Sequence, residues 1–225
     1  MQKITQFSLF LLASILVHSV FGQETNPDPA RFAQEIQAFS QWDKKNATPQ
    51  KPVVFVGSSS IRFWNTGERF PDLPVINRGF GGSHISDVIA YIDETVLRYK
   101  PKVVIFYAGD NDIYDGKSNA QVLEDYTQFV DLVHASNPAA VIVFIPIKPS
   151  LARWALWPQM NAANALVHQY SKKSSLLQYV DLASIVLGTD GHPRPEFFVE
   201  DGLHLNSTGY DAWSSALKIF LETPK

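Results

Sequence analysis

The chain contains no cysteine among its 225 residues. That absence excludes a disulfide framework, a thiolate nucleophile, a thiolate metal site and lipid attachment through a cysteine. An excess of one charge is also missing: 19 Lys and Arg face 22 Asp and Glu, a formal net charge of −3. No basic cluster stands out, so nucleic acid is not an expected partner. Internal repeats and low-complexity segments are absent as well. Beyond Val20 no apolar run is long enough to cross a bilayer, which takes about 20 residues.

What is present begins with a short segment carrying Lys3, an apolar run from Phe7 to Val20, and small residues at Val20-Phe21-Gly22. This pattern predicts a signal peptide over 1–22 with Gln23 as the mature terminus, and hence a secreted or periplasmic protein. A retained N-terminal anchor is the alternative. Residues 23–50 read as a polar lead-in and a helix, and 51–225 as one domain of ordinary size with a full core.

Short β-branched runs recur at 53–56, 75–77, 103–107, 141–146 and 178–182, flanked by Pro, Gly or Asn. Continuous rather than alternating apolar runs suit strands buried on both faces. Amphipathic helical patterns lie between them. Ile85, Val88, Ile89, Ile92 and Val96 form one stripe, and Val122, Tyr126, Phe129, Val130 and Val133 another. Ser118-Asn119-Ala120-Gln121 reads as a capping box and Asn137-Pro138 as a stop, while Trp213, Leu217 and Phe220 mark a terminal helix. The expected fold is therefore α/β, a three-layer sandwich around a mainly parallel five-stranded sheet. In such folds chemistry gathers in loops beyond the carboxyl ends of the strands.

Four of those loops carry candidate groups. Gly57-Ser58-Ser59-Ser60 offers three hydroxyls after the first strand, any of which serves equally well as a turn former. Gly79-Phe80-Gly81-Gly82 brings three glycines to a helix start, where backbone N–H groups face an anion or simply turn the chain. Gly109-Asp110-Asn111-Asp112 follows a buried strand, a good place for an amide donor to a developing oxyanion. In Asp201-Gly202-Leu203-His204 an Asp lies three residues before a His, close enough to orient its imidazole. His84, bordering the glycine loop, is an outside candidate; His134 and His168 fall within helical patterns and His192 in a Pro/Gly-rich loop. In chain order these loops hold a nucleophile, oxyanion donors, an orienter and a base.

Together the four blocks resemble those of GDSL-type esterases of the SGNH hydrolase superfamily, whose markers are Ser, Gly, Asn and His. The resemblance implies Ser59 as nucleophile, Asp201 and His204 as its acid and base, and an oxyanion hole of Ser59, Gly82 and Asn111. It also implies a flavodoxin-like sheet and a reaction needing neither metal nor organic cofactor. One departure is Ser58, where the family usually carries Asp. The expected reaction is hydrolysis of short acyl esters, including O-acetyl groups on carbohydrate. A lysophospholipase or thioesterase, or a catalytically silent carbohydrate-binding relative, are the alternatives. Trp64, Phe80, Arg153 and Trp154 are candidate substrate contacts, since aromatic faces stack on sugars and Arg grips carboxylates. Two glycosylation-type sequences occur, Asn46-Ala47-Thr48 and Asn206-Ser207-Thr208. A glycan on Asn206 would crowd His204, which favours a bacterial setting.

Overall fold

The computed structural model describes residues 26–222, so the expected signal peptide and its cleavage site lie outside the described residues. Five strands form one sheet: β1 (Val53–Gly57), β2 (Val75–Gly79), β3 (Val103–Tyr107), β4 (Val141–Phe144) and β5 (Leu177–Tyr179). Their order is β2-β1-β3-β4-β5 and every pairing is parallel.

The described α-helices are α1 (Ala33–Lys45), α2 (Ser59–Arg62), α3 (Thr66–Arg69), α4 (Ile85–Ala90), α5 (Ile92–Thr95), α6 (Asp110–Tyr114), α7 (Asn119–Ser136), α8 (Trp157–Ser171) and α9 (Ser207–Glu222). Alternation along the strands divides the core in two. Val54, Val56, Val104, Phe106, Ile142 and Phe144 pack with α1, α4, α5, α7 and α8. Val53, Phe55, Ile105, Tyr107, Val143 and Ile145 turn the other way, against Trp64, Phe70 and the α9 residues Trp213 and Leu217. Helices cover both faces, which is why the strands read as unbroken apolar runs.

The capping box holds: Ser118 N–H donates to Gln121 Oε1 at 2.8 Å, and Gln121 N–H to Ser118 Oγ at 3.2 Å. The expected helix over 85–96 is instead divided between α4 and α5. At Tyr91 the turn tightens, its N–H shared by the carbonyls of Asp87 and Ile89, and its hydroxyl donates to the Pro29 carbonyl at 3.0 Å. β4 stops at Phe144 rather than 146, since Pro146 brings no N–H to the ladder. β5 is shorter and begins one residue earlier; Leu182 N–H turns back onto the Val180 carbonyl at 2.8 Å.

Gly57 ends β1 at φ +137°, and a Cβ there would stand 1.8 Å from the Tyr107 carbonyl oxygen. No other residue fits that junction of β1 with β3. Gly57→Ala is expected to cost about 3 kcal/mol or more, from strained backbone together with a clash. The denaturant midpoint, compared with wild type, measures it.

Candidate active site

The strand order reverses between β1 and β3, whose carboxyl ends therefore open a crevice. The chain leaves β1 through Ser58, whose N–H donates to the Tyr107 carbonyl at 2.9 Å, and enters α2 at Ser59. Ser58 and Ser60 are 0% and 1% exposed. Only Ser59 of the three meets a histidine: its Oγ lies 2.9 Å from His204 Nε2. Ser58, where the resemblance implies Asp, is a buried hydroxyl without a hydrogen-bond partner.

His204 Nδ1 lies 2.6 Å from Asp201 Oδ2. The other oxygen of that carboxylate accepts the N–H groups of Leu203 (2.8 Å) and His204 (2.9 Å), which folds the short loop about the Asp. Partial burial raises the Asp201 pKa, but hydrogen bonds from the His204 ring and from these two N–H groups outweigh it and hold the value at about 2. The Phe63 ring meets the imidazole edge-to-face, 5.0 Å between centroids.

In the loop after β2, Gly82 adopts φ +77° with open space where a Cβ would project. Among the described residues the N–H groups of Ser59 and Gly82 make no hydrogen bond. Asn111 stands in α6, a single helical turn where the sequence suggested a loop. Its Nδ2 donates one hydrogen to the Ser83 carbonyl at 3.1 Å, leaving the second hydrogen available, and its Oδ1 accepts from Arg153 Nη1 at 3.1 Å. Asp112 braces the same two loops from below, accepting the Ile85 N–H at 3.2 Å and Lys117 Nζ at 2.9 Å. Burial raises its pKa, against the pull of Lys117 and His84.

The four candidate substrate contacts divide. Trp64 and Phe80 are corrected: at 1% and 0% exposure both rings lie in the core, and Trp64 Nε1 donates to Ser214 Oγ at 2.9 Å. An apolar ring beside a strand end gains more by completing the packing than by facing water. Arg153 reaches the site through Asn111. Trp154, half-buried, stacks on Trp157 at 6.5 Å and lies 5.0 Å from His192. His84 is 2% exposed and its Nε2 engages Asp115 at 2.7 Å rather than a serine. Asn206 Nδ2 donates to the carbonyls of Glu196 (2.8 Å) and Phe198 (3.2 Å), so the protein itself occupies the amide a glycan would need.

Two further residues near the site are not marked by any motif of the sequence. Phe63 follows Ser59 by four residues, which puts both on one side of a helical turn, so a signal was there. Lys148, 1% exposed with no hydrogen-bond partner at Nζ, gave none, because a lone lysine reads as surface. Burial lowers its pKa, with Asp110 acting against the shift. Among the described residues no group of His, Asp and Glu is arranged to hold a metal ion, and no helix is long and apolar enough to cross a membrane.

The structure resembles that of a GDSL-like lipase from Bacteroides thetaiotaomicron (TM-score 0.69, 21% identity, covering 87% of this chain and 97% of that one). It also resembles a variant of an acetyl-xylooligosaccharide esterase from Geobacillus (TM-score 0.62, 15% identity, 80% and 98% covered). An uncharacterized protein of Mycoplasma pneumoniae is 27% identical over 165 residues, and the match spans only 19% of that protein's length. The model of the GDSL-like lipase/acylhydrolase family matches residues 62–212, a span that holds Gly82, Asn111, Asp201 and His204 and starts just after Ser59. With the family model matching two thirds of its length, the chain belongs to the GDSL-like lipase/acylhydrolase family.

Proposed function

We propose that the protein hydrolyses carboxylic esters of short acyl groups through an acyl-enzyme on Ser59. The observation that carries this reading is the unbroken relay from Asp201 to His204 to Ser59, at 2.6 and 2.9 Å. His204 Nε2 accepts the Ser59 proton as Oγ attacks the ester carbonyl carbon. Charge then develops on the carbonyl oxygen, toward the unpaired N–H groups of Ser59 and Gly82 and the second N–H of Asn111. The Asp201 carboxylate balances the imidazolium, which returns its proton to the departing alkoxide and releases the alcohol. Water, deprotonated by His204, attacks the acyl-enzyme; the carboxylic acid departs and Ser59 Oγ recovers its proton.

Likeness to an acetyl-xylooligosaccharide esterase supports acetyl groups on a carbohydrate as the ester taken. A lysophospholipase or thioesterase is favoured instead by the exposed apolar side chains Phe63, Leu151 and Val199 at the rim. A p-nitrophenyl ester series from acetyl to decanoyl separates the two. Steep preference for acetyl is expected, and activity rising with chain length would transfer the proposal to a lipid-like substrate.

Ser59→Ala is expected to lose kcat by a factor on the order of 10⁶ and Asn111→Ala by about 10²–10³. Wild-type activity in Ser59→Ala would overturn the assignment. Labelling of Ser59 by a fluorophosphonate is expected, whereas a silent binder would take up no label.

The carboxylate of Asp201, held at about 2, stays charged throughout the acid range of an assay. The acid limb of kcat/KM should therefore carry no step from this carboxylate. A step near pH 4, where an ordinary Asp titrates at about 3.9, would mean that the loop does not hold the charge.

A further inference from the structure

The geometry points to Arg153 as a positioning residue that holds the Asn111 amide in its donating orientation, not as a ligand of the substrate. This inference rests on the ester-hydrolase reading above. An asparagine amide is nearly symmetric in shape but not in polarity, and a half-turn exchanges a donor for an acceptor. Turned the wrong way, Asn111 would present Oδ1 to the nascent oxyanion and repel the charge it has to stabilise. Two contacts oppose that turn. The Ser83 carbonyl takes a hydrogen from Nδ2 at 3.1 Å, and Arg153 Nη1 donates to Oδ1 at 3.1 Å. Turning the amide would set oxygen against the Ser83 oxygen and N–H against the guanidinium, so both contacts become repulsive at once. The bond from a cation is the stronger of the two.

Arg153 is itself held in place. Its side chain is only 11% exposed, Nη1 lies 3.5 Å from Asp110 Oδ2, and the guanidinium sits over the Tyr114 ring at 4.3 Å. Its backbone N–H donates to Ser150 Oγ at 3.2 Å. A guanidinium fixed on three sides is suited to orienting a neighbour and poorly suited to following a mobile ligand. The loop after β4 thereby joins those after β1, β2 and β3 in building the oxyanion side of the site.

A double-mutant cycle on p-nitrophenyl acetate tests this, using wild type, Arg153→Ala, Asn111→Ala and the double variant, with Ser59→Ala as control. Arg153→Ala is expected to lower kcat by about 10- to 100-fold, less than outright loss of an oxyanion donor, with KM within about twofold. In the Asn111→Ala background the same change should cost less than about twofold, because nothing remains to be oriented. Equal losses in both backgrounds, or a rise in KM at unchanged kcat, would make Arg153 a substrate ligand and overturn the inference. If Arg153→Ala does not fold, as judged by circular dichroism, Arg153→Lys enters the same cycle. It keeps the charge, shortens the reach to Oδ1, and must show the same disappearance of its effect without Asn111. Activity surviving in Ser59→Ala would defeat the ester-hydrolase reading itself, an outcome distinct from failure of the cycle.

Discussion

Everything at the site depends on how closely β1 approaches β3 at their carboxyl ends. Gly57 lies so near the Tyr107 carbonyl that even a methyl group is excluded, and the next N–H, of Ser58, closes a hydrogen bond onto the same oxygen. The two strands part only after this point, one toward α2 and the other toward α6. Ser59 and Asn111, far apart in sequence, thus start from a common anchor whose geometry two parallel ladders hold rigid. On the proposed reading Asn111 meets a transition-state charge and has to be in position beforehand; a backbone junction with one allowed residue supplies that constraint.

From this anchor the side of the site that holds Asn111 is braced sideways. The loop after β2 and the helix after β3 are tied by Asn111 to Ser83, by Asp112 to Ile85 and by His84 to Asp115. Lys117 neutralises the buried Asp112 from one side and reaches Asp125 of α7 on the other. A buried carboxylate without such partners would be costly, so the charges come as a connected set. Polar connection here serves geometry: it keeps the two loops in register around Asn111.

The histidine that meets Ser59 arrives from the far end of the chain. His204 joins Ser59 across 145 residues, and the packing of α9 makes this possible. Tyr210 donates to the Ser60 carbonyl, Trp64 donates to Ser214, and Trp213 lies against Trp64 and Tyr107. The aromatic cluster that seats α9 on the sheet is thus the same one that holds the Ser60 carbonyl, next to Ser59. Trp64 belongs to this cluster, which is why its ring has no face to offer a substrate.

Much of this was legible in the chain itself. Strand after strand of β-branched residues with amphipathic helices between them determined a parallel sheet covered on both faces, because burial on two sides leaves no other pattern. The short loops in which Ser, Asn and Asp/His follow buried strands determined where chemistry would collect, since strand ends in such a sheet share one edge. What the sequence by itself could not determine was direction. Nothing in Ser58-Ser59-Ser60 says which hydroxyl faces His204; that follows from the positive φ of Gly57 and the turn of α2. Nothing in a tryptophan or an arginine beside a strand end says whether it faces solvent or the core. Tertiary structure decided that Trp64 and Phe80 complete the core and that Arg153 lies against Asn111, because orientation is set by neighbours distant in sequence, while the period of burial is written locally.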